Sequence, residues 1–290
     1  MLERPKKNFH WYLLLFLFSS VLIIWYGVFA EERAGLLKVY FLNVGQGDAI
    51  FIEAPNGNQI LMDGGPNKSV LRELGKVMPF YDRSIDMIIA THPDFDHIGG
   101  IPAVLQNYSV GMFLESGAEA GTEVEKELKS LLKNKKTKEI LAKRGMSVDL
   151  GGGAEIAILF PDRDSSGWET NTASVVAKLI YGETSFLLTG DSPEEVENYL
   201  ADLDGKNLKA DVLKVSHHGS KNSSSESFLG FASPSFAVIS AGKDNKFGHP
   251  DKEVLDLLSR FEAEVFKTMD AGMVGFESDG EKIQPLGTRD

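Results

Sequence analysis

The sequence predicts an α/β fold in which two β-sheets pack face to face with helices on their outer surfaces. Three observations predict it. Strand-type apolar runs alternate with helical ones, the strands fall into two halves with the same order, and 42% hydrophobic against 25% charged residues is enough to fill a core. A length of 290 residues suits one large domain or two small ones.

The first element stands apart. Arg4, Lys6 and Lys7 precede an almost uncharged run over residues 11–30, and Glu31 and Glu32 follow it. About 20 apolar residues cross a bilayer as a helix, and Trp11, Tyr12, Trp25 and Tyr26 suit its two interfaces. The basic flank is expected to stay in the cytoplasm, which puts the rest of the chain outside it. Residues 1–30 then read as a signal anchor holding the protein in the membrane, or as a signal peptide cleaved behind Val28-Phe29-Ala30 to release it. Residues 31–290 form the folded domain in either case.

Residues 39–42, 49–53 and 59–62 read as strands, the last two joined by the turn Pro55-Asn56-Gly57-Asn58. A helix follows at 68–77, a buried strand at 84–90, a helix at 98–106 and a strand at 112–114. The charges of a helix at 123–133 suit a solvated face. Residues 134–153, basic and then Gly-rich, read as a surface excursion. Strands follow at 155–159, 174–181 and 185–189, with Gly182-Glu183 turning the last pair. Ser192 is expected to cap a helix at 193–203. Strands at 212–215 and 236–239 each precede a helical pattern, and 250–261 is the last clear helix.

Charge and composition exclude several functions. Lys and Arg number 30 against 42 Asp and Glu, a net charge of -12, so there is no overall basic surplus to displace phosphate counterions. Any phosphate chemistry must use local positive charge. Cysteine is absent, which removes a disulfide scaffold, a thiolate metal site and a Cys nucleophile.

Chemistry-bearing residues gather at strand ends. After the strand at 84–90 comes Thr91-His92-Pro93-Asp94-Phe95-Asp96-His97, then Ile98-Gly99-Gly100, with four imidazole or carboxylate donors in six residues. Pro93 keeps His92 out of a helix, so this segment reads as a loop able to fold its donors around two adjacent sites. Gly99 and Gly100 let the next helix approach closely. Donors at this density are costly to bury unpaired, and metal ions neutralise them. Two further strands end alike, one in Thr189-Gly190-Asp191 and the other in Ser216-His217-His218-Gly219-Ser220.

These segments, with Asn43-Val44-Gly45-Gln46-Gly47-Asp48 and Asp63-Gly64-Gly65, resemble the metallo-β-lactamase superfamily and, within it, the exported hydrolase domain of ComEC-type DNA-uptake proteins. The resemblance runs from Leu36 to about Gly275. It implies an αββα sandwich with a two-metal site at one edge of the sheets. His92 and Asp94 match the first-metal positions, Asp96 and His97 the second, Asp191 the bridging carboxylate and His217 the late His ligand. Two departures bear on the metal. Asp94 stands where the superfamily usually has a His, a harder donor that shifts preference from Zn²⁺ toward Mn²⁺ or Mg²⁺ without excluding zinc. Asn171 stands in the stretch that usually supplies another His, and reads either as a ligand or substrate contact or as a plain loop residue.

The implied mechanism is attack by a hydroxide activated between two divalent cations, with Asp191 bridging them and Asp96 also orienting the hydroxide. His249 is expected to contact substrate or protonate the leaving group, or else to serve only at a helix entry. Lys214, His218 and Ser220 are expected at the substrate phosphate, unless Lys214 faces solvent. Three function classes follow: a metal-dependent phosphodiesterase, most naturally a nuclease on external DNA and so a participant in DNA uptake; a hydrolase of small esters, thioesters or lactams; and a non-catalytic surface module binding metal or nucleic acid. With one hydrophobic segment, the chain would need a separate DNA-channel protein to serve uptake.

Overall fold

A computed structural model describes residues 8–32 and 35–289. The chain divides into two units, Met1–Gly35 and Leu36–Asp290. In the first, α1 (Phe9–Glu32) has exposed apolar side chains throughout its described part. Its stretch Phe9–Gly27, of mean hydropathy 1.7, is long and apolar enough to cross a membrane. A signal sequence has the same character.

The second unit opens with β1 (Leu37–Phe41), β2 (Ile50–Glu53), β3 (Gln59–Met62), α2 (Ser69–Val77), β4 (Ser84–Ala90), α3 (Phe95–Ile98), α4 (Ile101–Asn107), β5 (Ser109–Glu115), α5 (Glu123–Lys135) and β6 (Lys138–Leu141). Its second half comprises β7 (Ser147–Gly151), β8 (Ala154–Phe160), β9 (Val176–Tyr181), β10 (Thr184–Leu188), α6 (Glu194–Asp204), β11 (Val212–Lys214), α7 (Glu226–Ala232), β12 (Phe236–Ile239), α8 (Lys252–Arg260), β13 (Glu264–Lys267) and α9 (Thr268–Ala271). Finally β14 (Met273–Ser278) and β15 (Ile283–Arg289) return to the first sheet. Eight strands run β15-β14-β1-β2-β3-β4-β5-β6 in one sheet, and seven run β13-β12-β11-β10-β9-β8-β7 in the other.

Strand alternation sets the layers. Val39 and Phe41 of β1, with Ile52 and Met62, meet Ile156, Ile158, Phe186 and Leu188 between the sheets. Tyr40, Phe51 and Leu61 point the other way, onto Leu74, Val104 and Leu128 of α2, α4 and α5. Leu187 and Leu213 likewise face Leu200, Phe228 and Leu258 of α6, α7 and α8. The result is the expected helix–sheet–sheet–helix sandwich, each fully buried large apolar side chain contributing about 1.5–3 kcal/mol.

The parallel pairs β3 with β4, and β10 with β11 and β12, bring their C-terminal ends to one edge. Ligand sites form there in sheets of this kind because the loops leaving these ends carry side chains into a common crevice.

The structure departs from the sequence reading at several places. Residues 134–153 hold strands β6 and β7 instead of a surface excursion, and β13, β14 and β15 were not anticipated. Four of these five are outermost in their sheets, where charge replaces apolar alternation and so hides a strand. The helix expected at 98–106 is split into α3 and α4 at Gly99-Gly100. A Cβ at Gly100 would stand 2.1 Å from the Gly64 carbonyl oxygen, and one at Gly99 2.3 Å from that of Pro66. Ser192 does not cap α6, because its hydroxyl is engaged with Ser216 Oγ at 3.2 Å.

Candidate metal centre

The loop after β4 delivers His92, Asp94, Asp96 and His97, with the last two on the single turn of α3 beyond Pro93. Two glycine-containing loops hold it. Gly64 N–H donates to the His97 carbonyl at 2.7 Å, and Asp48 N–H to that of Asp96 at 3.2 Å. Gly47 has φ +125°, and a Cβ there would lie 2.1 Å from the Asp96 carbonyl oxygen, so only glycine permits this approach. From the other sheet, β10 leads to Asp191 and β11 to the turn bearing His217 and His218. Both histidines have left-handed backbones, φ 48° and 56°, a strain of about 1 kcal/mol or more for each non-glycine residue.

Three imidazoles are oriented alike. His97 Nδ1 donates to Asp63 Oδ2 at 2.7 Å, and His218 Nδ1 to the Ser240 carbonyl at 2.9 Å. His92 Nδ1 lies 3.0 Å from Thr91 Oγ1, which itself donates to Asp63 at 2.7 Å. Each ring therefore has Nδ1 occupied, and each leaves a buried Nε2 with no hydrogen-bond partner. Asp191 Oδ2 stands 3.3 Å from His97 Nε2 and 3.4 Å from His218 Nε2, while its Oδ1 is also bare. Asp96 Oδ2 is 3.3 Å from His218 Nε2. Orphaned buried nitrogens with Nδ1 tied back are what metal-ligating histidines present.

Among the described residues, the donor atoms of four groups lie within 4.8 Å of one another: His92, His97 and Asp191; Asp96, His97 and His218; Asp48, Asp191 and His218; and Asp48, Asp63 and His97. These groups could hold a divalent metal ion. The residues fit that role by chemistry too, since imidazole and carboxylate suit Zn²⁺ and Mn²⁺, and carboxylate suits Mg²⁺.

The charges couple strongly. Burial disfavours cationic His97, yet Asp191 and Asp63 outweigh it and hold the ring well above the ordinary histidine pKa. His218 is likewise raised against its burial by Asp191 and Asp48. Burial alone would raise Asp191, but His218 and His97 hold it well below the carboxylate range. His92, pushed down to about 3 by burial and then by His97, stays neutral with its Nε2 lone pair available. So many carboxylates at one edge call for cationic partners.

Other residues singled out in the sequence lie differently. His217, matched to the late ligand position, is part exposed at the rim, its Nε2 3.9 Å from Asp191, whereas His218, expected at substrate, is inside the donor cluster. The left-handed turn directs the His218 ring, and not that of His217, into the cluster. Lys214 departs from the alternative that it faces solvent: it is fully buried, its Nζ 2.8 Å from Asp48 Oδ2. Ser220 is buried too and accepts from Asn222 N–H at 3.3 Å within its own turn. Asp94 lies outside the four groups, 3.8 Å from His92 Nε2; burial raises its pKa. Asn171 presents a buried Oδ1 with no partner. His249 is largely buried beside His217, ring centroids 5.8 Å apart.

Asp48 and Asp63 were missed as site residues. Their signal was present in the runs Gly45-Gln46-Gly47-Asp48 and Asp63-Gly64-Gly65, where a carboxylate adjoins glycines that let loops touch.

Residues 42–243 match the family described as Metallo-beta-lactamase superfamily. The chain is 32% identical over 257 residues to ComE operon protein 3 of Bacillus subtilis (strain 168), covering 82% of this chain and 33% of that protein. It is also 32% identical over 260 residues to Recombination protein 2 of Haemophilus influenzae, covering 87% of this chain and 30% of that one. The chain thus spans about a third of the length of these curated relatives. Among solved structures, the metallo-β-lactamase fold protein YhfI from Bacillus subtilis superposes with a TM-score of 0.56 at 16% identity, over 80% of this chain and 95% of YhfI. With the sandwich, the edge cluster and the sequence match in agreement, the chain belongs to the metallo-β-lactamase superfamily.

Proposed function

We propose that the second unit is a metal-dependent phosphodiesterase, a nuclease acting on DNA outside the cytoplasm with two divalent ions. The observation that carries the metal reading is the convergence of three bare Nε2 atoms, from His92, His97 and His218, on Asp191. In this reading His92, His97 and Asp191 would hold one ion, and Asp96 and His218, with Asp191, would hold the other. Asp94 adds an oxygen donor beside His92, and the carboxylate-rich set favours Mn²⁺ or Mg²⁺ over Zn²⁺. When bound, such ions polarise a phosphoryl oxygen and lower the pKa of water. The chain's own groups do the rest: Asp63 and the Ser240 carbonyl fix two ring orientations, and His249 with His217 lies at the rim where a leaving oxygen can take a proton. Asn171 Oδ1 serves as a further ligand or substrate contact.

The DNA substrate is supported by the names of the relatives, ComE operon protein 3 and Recombination protein 2. A role in uptake would join the domain to a separate DNA-channel protein. Basic residues ahead of α1 support an orientation with the hydrolase unit outside, on a membrane anchor or released after Ala30. Protease added to intact cells should digest that unit, and full protection would overturn the orientation.

The test is an assay of the full chain in detergent on single- and double-stranded DNA, thioesters and a β-lactam, with Mn²⁺, Mg²⁺ or Zn²⁺. The expected result is DNA cleavage that Asp96→Ala lowers by several orders of magnitude. Opening of thioesters or lactams with no DNA cleavage would replace this reading by the small-ester one. Metal binding without any hydrolysis would leave a binding module.

A further inference from the structure

The loop carrying Asn171 has two sides. On one, Ser174 Oγ lies 3.3 Å from His92 Nδ1 and accepts from Asp191 N–H at 3.2 Å. This side is a wall of the metal centre. The other opens on a cavity of about 330 Å³ lined by Phe160, Arg163, Trp168, Thr172, Glu195 and Tyr199. Thr172 is two residues from Ser174, at most about 7 Å of extended chain, so cavity and metal centre share this loop.

The cavity is aromatic but not a closed core. Phe160 and Trp168 have ring centroids 5.9 Å apart, and Phe160 and Tyr199 stand edge to face at 6.2 Å. Arg163, exposed, lies with its guanidinium 5.4 Å over the Trp168 ring. At the mouth, Thr172 Oγ1 lies 3.0 Å from a Glu169 carboxylate oxygen and 3.3 Å from that of the exposed Glu195, its one proton serving either. Flat apolar walls, one cation and one acceptor edge therefore share a loop with the donor cluster, in a volume typical of ligand pockets.

We propose that this cavity is a nucleobase subsite, and that the enzyme acts on single-stranded nucleic acid by taking the base beside the scissile phosphodiester out of the stack. The proposal rests on the phosphodiesterase reading above. Every base has a π-face for Trp168 and Tyr199, and its edge carries N–H donors for Glu195. Arg163, whose Nε lies 3.5 Å from Asp162 Oδ1, leaves its exposed guanidinium edge as local positive charge for the adjoining phosphate in a chain of net charge -12. A duplex must first unpair and unstack the base, so it is the poorer substrate. Affinity here comes from stacking more than from counterion release, and its salt dependence is shallow.

Trp168 makes the test direct, because the other two tryptophans, Trp11 and Trp25, lie in the N-terminal helix. The full chain carrying Trp11→Phe and Trp25→Phe, in detergent, reports on Trp168 alone. A thymidine hexanucleotide should quench its fluorescence saturably, with a salt slope of about one phosphate contact. Arg163→Ala and Tyr199→Leu change exposed side chains and should each weaken that binding about fivefold or more. In cleavage, the parent should prefer a base-bearing oligomer to an abasic one, and Trp168→Ala should cut that preference roughly tenfold. Absence of quenching, an intact base preference in Trp168→Ala, or equal handling of duplex and single strand would overturn the subsite while leaving the phosphodiesterase standing. A parent protein that cleaves no phosphodiester, base-bearing or abasic, overturns the reading on which the subsite rests.

Discussion

Lys214 Nζ and Asp48 Oδ2 stand 2.8 Å apart with neither side chain appreciably exposed, an ion pair that joins a strand of one sheet to a loop of the other beside the metal centre. Burial alone would raise the Asp48 pKa, yet Lys214 and His218 hold the carboxylate well below its ordinary range. Removing one partner of such a pair leaves an uncompensated buried charge. Lys214→Met should therefore lower unfolding free energy by about 3–5 kcal/mol in urea denaturation. A loss under about 1 kcal/mol, with substrate affinity reduced instead, would restore Lys214 as a substrate contact.

Asp191 lies between His97 and His218, at 3.3 and 3.4 Å, whereas Asp94 pairs with His92, at 3.8 Å, and not with His97 or His218 among the described ion pairs. Elemental analysis of purified variants should find both ions lost from Asp191→Ala and chiefly one weakened in Asp94→Ala. Equal metal content in Asp191→Ala and the parent protein would refute the shared position.

The paired histidines separate by the same measurement. His218→Ala should lose metal, because it deletes an inward Nε2, while His217→Ala should retain it and alter turnover. Asp63→Asn, which disturbs the partner of His97 Nδ1, should cost about 10–100-fold in metal affinity. Metal loss in His217→Ala with retention in His218→Ala would reverse the assignment.

Glu197 offers a pH dependence away from the metal. It is buried on α6, accepts from Ser225 N–H at 2.6 Å, and burial raises its pKa to about 7. Its folded pKa lies above the ordinary glutamate value of 4.5, so the folded state binds more protons between these two values. Stability should be fullest below about pH 4.5 as far as this group is concerned, and should fall as pH rises toward 7, by on the order of 3 kcal/mol. Glu197→Gln keeps the acceptor oxygen and should flatten that slope in denaturant titrations at pH 5 and pH 8. An unchanged slope would remove Glu197 as its source.

The sequence by itself determined the class of chemistry and the layered fold. His92, Asp94, Asp96 and His97 crowd six residues behind a buried strand, and Asp191 and His218 close two more strands, so the donors are local in the chain. Inner strands such as β1 and β10 read as near-continuous apolar runs because both their faces are buried, and they were legible for that reason. Edge strands β6, β7, β13 and β15 were not, since one side of each meets solvent and tolerates charge. Only the tertiary structure decided which of His217 and His218 faces inward, because a left-handed turn, with no periodicity to betray it, sets their directions. The burial of Lys214 and the parts played by Asp48 and Asp63 belong there too. Each depends on a partner distant in the chain, brought near by sheet packing, and no local pattern encodes such a pairing.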